Sequence, residues 1–514
     1  MKSLKKIFSQ DKSSFILIGI LVSAFLIRLI YLFQFRDTVF FDPLLMDKHD
    51  QKTFMLWARQ ILEHPWYVDG KIFYMAPLYP YFLALLLFLL SGSLMLVISF
   101  QLLMDTAVCG FLFYLGRKIH NKWTGYLAAF LACFYRTSVV YASSVLSDSL
   151  IFFLYIFFIF LVYRSMEKKT VASWVSAGIV LGLAALSKPT IAVYLPFLLA
   201  GLYAYPGEKL PRTGLPVNLQ PILAILILVA SSAMVILPVT LRNFCVGGEL
   251  VPICTNGMVN WQIGNSSDSI GLFYYPRGEL LSPFSDAFWR LFLTKLNIFF
   301  TSYEWPQNLN VYLVEDLIPF LKTAFVKFGF VLPAGIAGTI LMMRDWRRNF
   351  IFVSYAFVNV LWVVLFFVVD RYRLSAAGCF MVSAAFLVVW TLESMKKKSV
   401  LLPVLLWAVA GTFAYFYDIT PGQRVPSASV ETFAALSVKN IQNDLSTGRM
   451  EAALEKAETY RRFLPDDFRS SFMLACVLSG MGRNEAAAYY LEETLRINPE
   501  FVPGREFLES IRPE

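Results

Sequence analysis

From its N-terminus the chain alternates long apolar runs with short polar interruptions, and many runs approach the ~20 residues a helix needs to cross a bilayer. They recur from residue 15 to residue 417, opening with Phe15-Ile-Leu-Ile-Gly-Ile-Leu-Val22 and closing with Val400-Leu-Leu-Pro-Val-Leu-Leu-Trp407. Backbone polar groups in hydrocarbon must be paired within the segment, so these runs are expected to be helical. Beyond about residue 418 the pattern turns polar.

The interruptions orient the runs. Basic residues cluster at Lys2, Lys5, Lys6 and Lys12; at Arg117, Lys118 and Lys122; at Arg164, Lys168 and Lys169; at Lys209 and Arg212; at Arg344, Arg347 and Arg348; and at Lys396, Lys397 and Lys398. Such clusters mark cytoplasmic turns. The spans then fall near residues 15–35, 94–116, 123–142, 148–164, 171–187, 190–206, 219–240, 321–343, 349–369, 375–393 and 399–417, eleven in all. The first is read as a retained span, because its apolar run reaches about residue 35 without an Ala-x-Ala site. The stretch from Tyr79 to Leu90 is short for a crossing and is expected as an interfacial or re-entrant helix.

With the N-terminus cytoplasmic, this odd count places four regions on the exoplasmic, periplasmic side: loops 36–92 and 241–320, the Asp370–Arg373 turn and the C-terminal segment. The expected fold is all-α. Residues 1–417 form a polytopic bundle of about eleven spans with outer-face interfacial helices, in the inner (plasma) membrane. Residues 418–433 are a linker, and 434–514 form a small α-solenoid. Gly448, Ala453 and Pro465 recur as Gly482, Ala487 and Pro499, each 34 residues on, which is the tetratricopeptide period. Two repeats cover about 434–501, followed by a capping helix. Such repeats serve either as a protein-partner surface or as a docking spacer.

Composition fits this picture. The chain is 57% hydrophobic and only 16% charged, well under the roughly 25% of soluble proteins. Its net charge of +9 is spread over many clusters instead of one patch, so no nucleic-acid partner is expected. The six cysteines include no CxxC pair. Cys245 and Cys254 share an outer loop and form a disulfide only if that loop faces an oxidising compartment. No ligand cluster surrounds His49, His64 or His120, so no metal is assigned to them.

The candidate chemistry lies in the outer regions. On a helix Asp47, Asp50, Phe54, Trp57, Ala58 and Ile61 share one face. Its apolar part is expected to rest on the membrane interface, with the acids at the N-terminal end. Asp47 there serves either as an N-cap or in catalysis, and Asp50 either complements the helix dipole or acts chemically. Asp148 opens the fourth span at the same outer level, a position where acids are functional candidates. Lys188, Arg242, Arg371 and Arg373 also sit at outer span ends, the side depleted of basic residues. Such cations suit an anionic head group whose tail lies in the bilayer, or they snorkel. Arg28 and Asp105 lie inside spans, the latter as a buried hydrogen-bonding residue.

Several motifs together carry a resemblance. Asp50-Gln-Lys-Thr-Phe54-Met-Leu-Trp57-Ala58, the segment from Val68 through Tyr74 and Pro77-Leu-Tyr79-Pro-Tyr81, Tyr141-Ala-Ser-Ser-Val-Leu-Ser-Asp148, Leu186-Ser-Lys188-Pro-Thr190, Leu241-Arg242-Asn243 through Asn256-Gly257 to Gly264-Asn265, and Asp370-Arg371-Tyr372-Arg373 occur in order. The chain in this way resembles the GT-C superfamily of polyprenyl-phosphate-sugar-dependent glycosyltransferases, those similar to protein O-mannosyltransferases and the aminoarabinose transferase. The resemblance implies a glycosyltransferase moving sugar from a polyprenyl-phosphate donor to an acceptor glycan, lipid or protein, with Asp50 at the active site and Asp148 as the second acid. It implies donor-phosphate binding by Lys71, Lys188, Arg242, Arg371 or Arg373, since Met75-Ala76 stand where some relatives carry a basic residue. Trp57, Tyr74, Tyr79, Asn256 and Asn265 are the expected sugar or acceptor contacts, beside Trp261. The pattern names no cofactor and leaves metal dependence open, since Asp50 and Asp148 could share a divalent cation as well as a substrate. The competing class is a transporter or flippase of lipid-linked sugars; the acids at one face and the lack of an evident membrane repeat argue against it.

Overall fold

The computed structural model describes residues 12–47, 49–66, 68–206, 219–323, 325–417 and 427–511. The basic cluster at Lys209 and Arg212, the N-terminal lysines, part of the linker at 418–433 and the end of the capping helix lie outside the described residues. The chain divides into two compact units: residues 1–34 with 53–421, and residues 35–52 with 422–514.

The first unit is built from α1 (Lys12–Phe35), α2 (Asp50–Glu63, most of which lies in this unit), α3 (Leu78–Leu89), α4 (Leu94–Ile119), α5 (Lys122–Cys133), α6 (Arg136–Ala142), α7 (Asp148–Lys168), α8 (Val171–Ser187), α9 (Leu195–Ala204), α10 (Gln220–Gly247), α11 (Gly257–Asn265), α12 (Asp286–Phe299), α13 (Val311–Leu317), α14 (Phe328–Met342), α15 (Trp346–Leu365), α16 (Leu374–Lys396) and α17 (Leu401–Tyr417). Among the described residues six stretches are long and apolar enough to cross a membrane: Ser14–Phe35, Leu94–Ile119, Asp148–Lys168, Gln220–Gly247, Phe328–Leu365 and Asp370–Lys396. They take up seven of the eleven expected spans, since Phe328–Leu365 holds both α14 and α15 with a 3-10 turn at Met343–Asp345 between them. The chain is a multi-pass membrane protein.

The other four expected spans fall on shorter or broken helices. Span 123–142 splits at Phe134–Tyr135, where Tyr135 turns extended (φ −73°, ψ 108°). Backbone freed by such a break must find partners inside the protein. Val326 supplies them: its N–H donates to Phe134 O at 2.8 Å and its carbonyl accepts from Arg136 N–H at 3.0 Å. Arg28 donates to the carbonyls of Ala132 and Cys133, at 3.2 and 3.1 Å, and its Nε meets Asp105 at 2.6 Å. Ser138 Oγ donates to the same carboxylate. The two charges embedded in apolar runs therefore stabilise a helix break.

Local capping explains the tight turns. Lys169 ends α7 in the left-handed region (φ 53°), and the Thr170 side chain caps α8 by accepting from Ser173 N–H. Asn121 caps α5 by accepting from Trp123 and Thr124 N–H. Helix α16 forms the centre and is mostly buried, whereas α1 and α10 are peripheral and mostly exposed at the bundle surface. Gly178 and Gly182 let α8 approach α10 closely: a Cβ on either would come within 3 Å of Leu228 or Ser232 backbone oxygen.

The basic interruptions gather at one end of the bundle. Lys118 and Arg164 both pair with Glu167 at 2.8 Å, His120 meets Glu393 at 2.9 Å, and Arg348 reaches the Lys118 carbonyl.

The second unit consists of residues 35–52 and helices α18 (Ser427–Ser446), α19 (Met450–Phe463), α20 (Phe468–Gly480), α21 (Asn484–Ile497) and α22 (Val502–Ile511). The 34-residue period extends to the backbone. Gly448 and Gly482 both take positive φ, 71° and 77°, immediately before α19 and α21, and Ala453 and Ala487 are fully buried.

Candidate functional site

At the bundle end opposite the basic clusters, four connections converge. Asp148 is the first residue of α7, and its carboxylate accepts from Arg371 Nη1 at 3.0 Å. Both side chains are almost completely buried, 3% and 4% exposed, so the pair is shielded from water. Gln307 Oε1 accepts from Arg371 Nε and Nη2 at 3.0 and 2.8 Å, fixing the guanidinium plane from its other edge. Next to it Tyr141 Oη donates to Asp370 Oδ1 at 2.8 Å, and the Arg371 backbone N–H donates to the same oxygen. The Tyr372 ring then meets two cations: Lys188 Nζ is 3.0 Å from its centroid and the Arg371 guanidinium carbon 5.1 Å. Trp362 completes the group, 3.8 Å from Lys188 Nζ. One cluster thus collects an acid, two cations and two aromatic faces from α7, the α8 C-terminus, α15 and the Asp370–Arg373 turn.

A second line of contacts runs from α2 to this cluster. Phe54 packs edge-on against Tyr79, with ring centroids 5.1 Å apart. Tyr79 Oη donates to Gln101 Oε1 at 2.7 Å, and the Gln101 amide donates to the Ala142 and Ser144 carbonyls, just ahead of Asp148. Asp50 opens α2 as its first residue, one turn before Phe54.

The helical face expected to bear Phe54, Trp57, Ala58 and Ile61 is buried, all four being at most 7% exposed. It rests on protein, not on the membrane interface: Trp57 packs on Phe73 at 5.9 Å. Trp57 and Tyr79 are therefore core residues, while Tyr74 is exposed. Asp47 lies outside α2 and does not cap it. Its carboxylate pairs with Lys52 and, at 3.2 Å, with Lys439, contacts that hold it below the usual carboxylate range.

The remaining basic candidates have different surroundings. Arg242 is 1% exposed; it donates to the carbonyls of Trp66 (3.1 Å), Val68 (2.7 Å) and Lys71, and its guanidinium covers the Phe73 ring. Adjacent Asn243 accepts from Phe73 N–H and donates to the Val251 and Ile253 carbonyls. This Arg-Asn pair staples the loop between α2 and α3 to the segment after α10. The staple continues where Thr255 and Asn256 N–H donate to the Phe73 and Tyr74 carbonyls, both at 3.0 Å, bringing Tyr74 and Asn256 together. Arg373 is fully buried and donates to the carbonyls of Phe299 and Thr301, at 3.1 and 3.0 Å, and to Glu304. Lys71 is exposed.

Asn265 is buried: its amide donates to the Trp261 and Leu365 carbonyls and its oxygen accepts from Lys295 Nζ at 2.8 Å. Lys295 also reaches the carbonyls of Gly264, Leu365 and Phe366, where it joins the ends of α11 and α15. Burial pushes its pKa down to about 7. Cys245 and Cys254 are free thiols here. Among the described residues no group of three metal-ligating side chains occurs.

Sequence reasoning missed Gln307, Gln101 and Trp362, whose residue types carry no signal in so aromatic a chain. Buried Glu304 and Glu315 were also missed; Glu304 accepts from Thr137 and Arg373, and Glu315 from Arg136. Acids within the apolar context of Tyr303-Glu304-Trp305 and Leu313-Val-Glu315 were the available clue.

No curated protein matches the chain. Among solved structures it is similar to the archaeal oligosaccharyltransferase AglB from Archaeoglobus fulgidus in complex with an inhibitory peptide and a dolichol-phosphate, at 14% identity and a TM-score of 0.46, covering 80% of this chain and 56% of that one. It is also similar to the Archaeoglobus fulgidus oligosaccharyltransferase in complex with Zn and sulfate, at 14% identity and a TM-score of 0.44, covering 79% and 54%. The chain spans little more than half the length of these proteins. Residues 74–236 match the family described as dolichyl-phosphate-mannose-protein mannosyltransferase. That segment carries Tyr79, Tyr141, Asp148 and Lys188.

Proposed function

We propose that this membrane protein transfers a sugar from a polyprenyl-phosphate donor to an acceptor hydroxyl at the exoplasmic face of the inner membrane, with inversion at the anomeric carbon. The observation that carries the reading is the Asp148–Arg371–Tyr372–Lys188 cluster: two cations oriented by a buried carboxylate and an aromatic ring, at the bundle end away from the basic clusters.

In this reading Lys188 and Arg371 bind the donor phosphate and strengthen their hold as negative charge develops on the leaving oxygen. Asp148 and Gln307 fix the guanidinium. Asp50 accepts the proton of the acceptor hydroxyl as its oxygen attacks the anomeric carbon and the carbon–phosphate-oxygen bond breaks, a general-base contribution of about 10²–10⁴ in rate. Tyr74 and Asn256, joined at the loop staple, offer contacts to the sugar or acceptor. Arg242, Arg373 and Asn265 act by holding loops in place. Residues 434–514 are read as two tetratricopeptide repeats with a cap, supported by the paired glycines at 448 and 482. Their placement on the same side as the first outer loop is supported by Phe40 against Phe433 and Lys439 on Asp47.

The test is transfer by purified protein in liposomes loaded with a radiolabelled polyprenyl-phosphate hexose and candidate acceptors. Labelled glycosylated product supports the proposal, whereas movement of label across the bilayer without product identifies a transporter.

A further inference from the structure

The second unit contains more than the C-terminal helices: residues 35–52, the segment leading to Asp50, are folded into it. Phe40, only 6% exposed, lies with its ring centroid 6.0 Å from that of Phe433 on α18. Phe433 is itself 2% exposed and backed by Tyr460 and Phe463 of α19, at 6.0 and 6.2 Å. Seven residues beyond Phe40, Asp47 pairs with Lys439, almost two helical turns after Phe433 on α18, and with Lys52 on α2. Asp42 caps the short 3-10 turn between the two contacts by accepting from Leu44 N–H at 2.9 Å, and Met46 is fully buried. The segment is therefore held at two points, one apolar and one ionic, and the second point lies three residues before Asp50.

We propose that the C-terminal helical domain is an intramolecular positioning element: α18 grips residues 35–47 through Phe433 and Lys439 and thereby sets the start of α2, where Asp50 stands. The occupant of this face of the first repeat is the chain's own first outer loop. An exposed ion pair contributes little by itself, whereas burial of two phenylalanine rings supplies an aromatic pairing beyond area alone. Phe40 is consequently the main grip and Asp47–Lys439 the register. The consequence for turnover rests on the glycosyltransferase reading; the grip itself does not.

Phe40→Ala in the full-length protein separates the two, because it removes the grip while leaving the Phe433–Tyr460–Phe463 core of the helical domain in place. Hydrogen exchange followed by mass spectrometry should show amides 36–47 and 50–53 exchanging about tenfold faster or more, with 450–497 unchanged, and Phe40→Trp or Phe40→Leu restoring most of the protection. In the transfer assay Phe40→Ala and Lys439→Glu should lower kcat about tenfold with KM for donor changed less than twofold, while Lys439→Arg stays near wild type. Unchanged exchange at 36–53 in Phe40→Ala overturns the proposal, as does faster exchange with an unaltered kcat. If wild-type protein transfers no sugar, the glycosyltransferase reading fails, and the exchange at 50–53 still decides whether α18 sets the start of α2.

Discussion

Asp148 and Arg371 are expected to act as one unit, and a double-mutant cycle measures this. Their contact of 3.0 Å is sealed from water, and the guanidinium has two further bonds to Gln307 at 3.0 and 2.8 Å. Each charge-assisted bond is worth about 1.5–3 kcal/mol net. Arg371→Ala removes the phosphate ligand and its supports together, so kcat/KM should fall about 10²-fold or more, equivalent to roughly 2.7 kcal/mol at 1.36 kcal/mol per decade. Asp148→Ala leaves the buried Arg371 guanidinium without its carboxylate and should cost about 10–10²-fold. The double variant should be little worse than Arg371→Ala alone, because a guanidinium that is absent has nothing to lose from misorientation. The assay is initial-rate transfer from a radiolabelled polyprenyl-phosphate sugar, with monodisperse elution in detergent required of each variant. Arg371→Lys keeps the charge and loses the fork, and should fall between wild type and Arg371→Ala. Losses that multiply in the double variant, giving a coupling energy near zero, would refute the idea of a positioned pair.

Other consequences follow from the same structure. Arg242→Ala strips three carbonyls of loop 66–71 of their donor and should destabilise the protein by about 3 kcal/mol or more, with protease sensitivity appearing first between residues 64 and 75; unchanged proteolysis would contradict the staple. Gly264→Ala would drive a Cβ into the Phe366 carbonyl oxygen, so a lower unfolding temperature is expected, and a neutral result would mean that α11 and the end of α15 are not so closely apposed. For Lys295, the folded-state pKa of about 7 lies below the ordinary 10.5 because burial disfavours the ammonium. Between those values the unfolded chain binds more protons, so this residue makes stability rise as pH increases from about 7 toward 10. Lys295→Met should abolish that part of the slope in thermal unfolding; an identical slope would show that the four surrounding oxygens hold the ammonium.

Much of the architecture could be read from the chain because membrane helices announce themselves by apolar length and one end of the bundle by clustered basic charge. Helices stand at every expected span, and the basic residues of 117–122, 164–169, 344–348 and the end of α16 do meet at one end. Asp148, Lys188 and Arg371 were visible for the complementary reason: charges at span ends outside the basic clusters. The pattern did not separate them from Arg242 and Arg373. An arginine at a span end looks the same in sequence whether it faces a ligand or the carbonyls of a loop folded over it, and only the loop path decides. Nor did it reveal the break at Phe134–Tyr135, because the partner that satisfies it, Val326, lies almost 200 residues on. Asp47 matched an N-cap by local spacing, yet its strongest partners are Lys52 and a lysine 392 residues away. Local propensity lost there to a tertiary contact that no period encodes.

The account stands most directly on where the donor phosphate binds. A structure of the protein with a non-transferable polyprenyl-phosphonate sugar should place the phosphonate oxygens within hydrogen-bond distance of Lys188 and Arg371. A phosphonate seated elsewhere, for instance beside Lys118 and Arg348 at the basic end of the bundle, would contradict it.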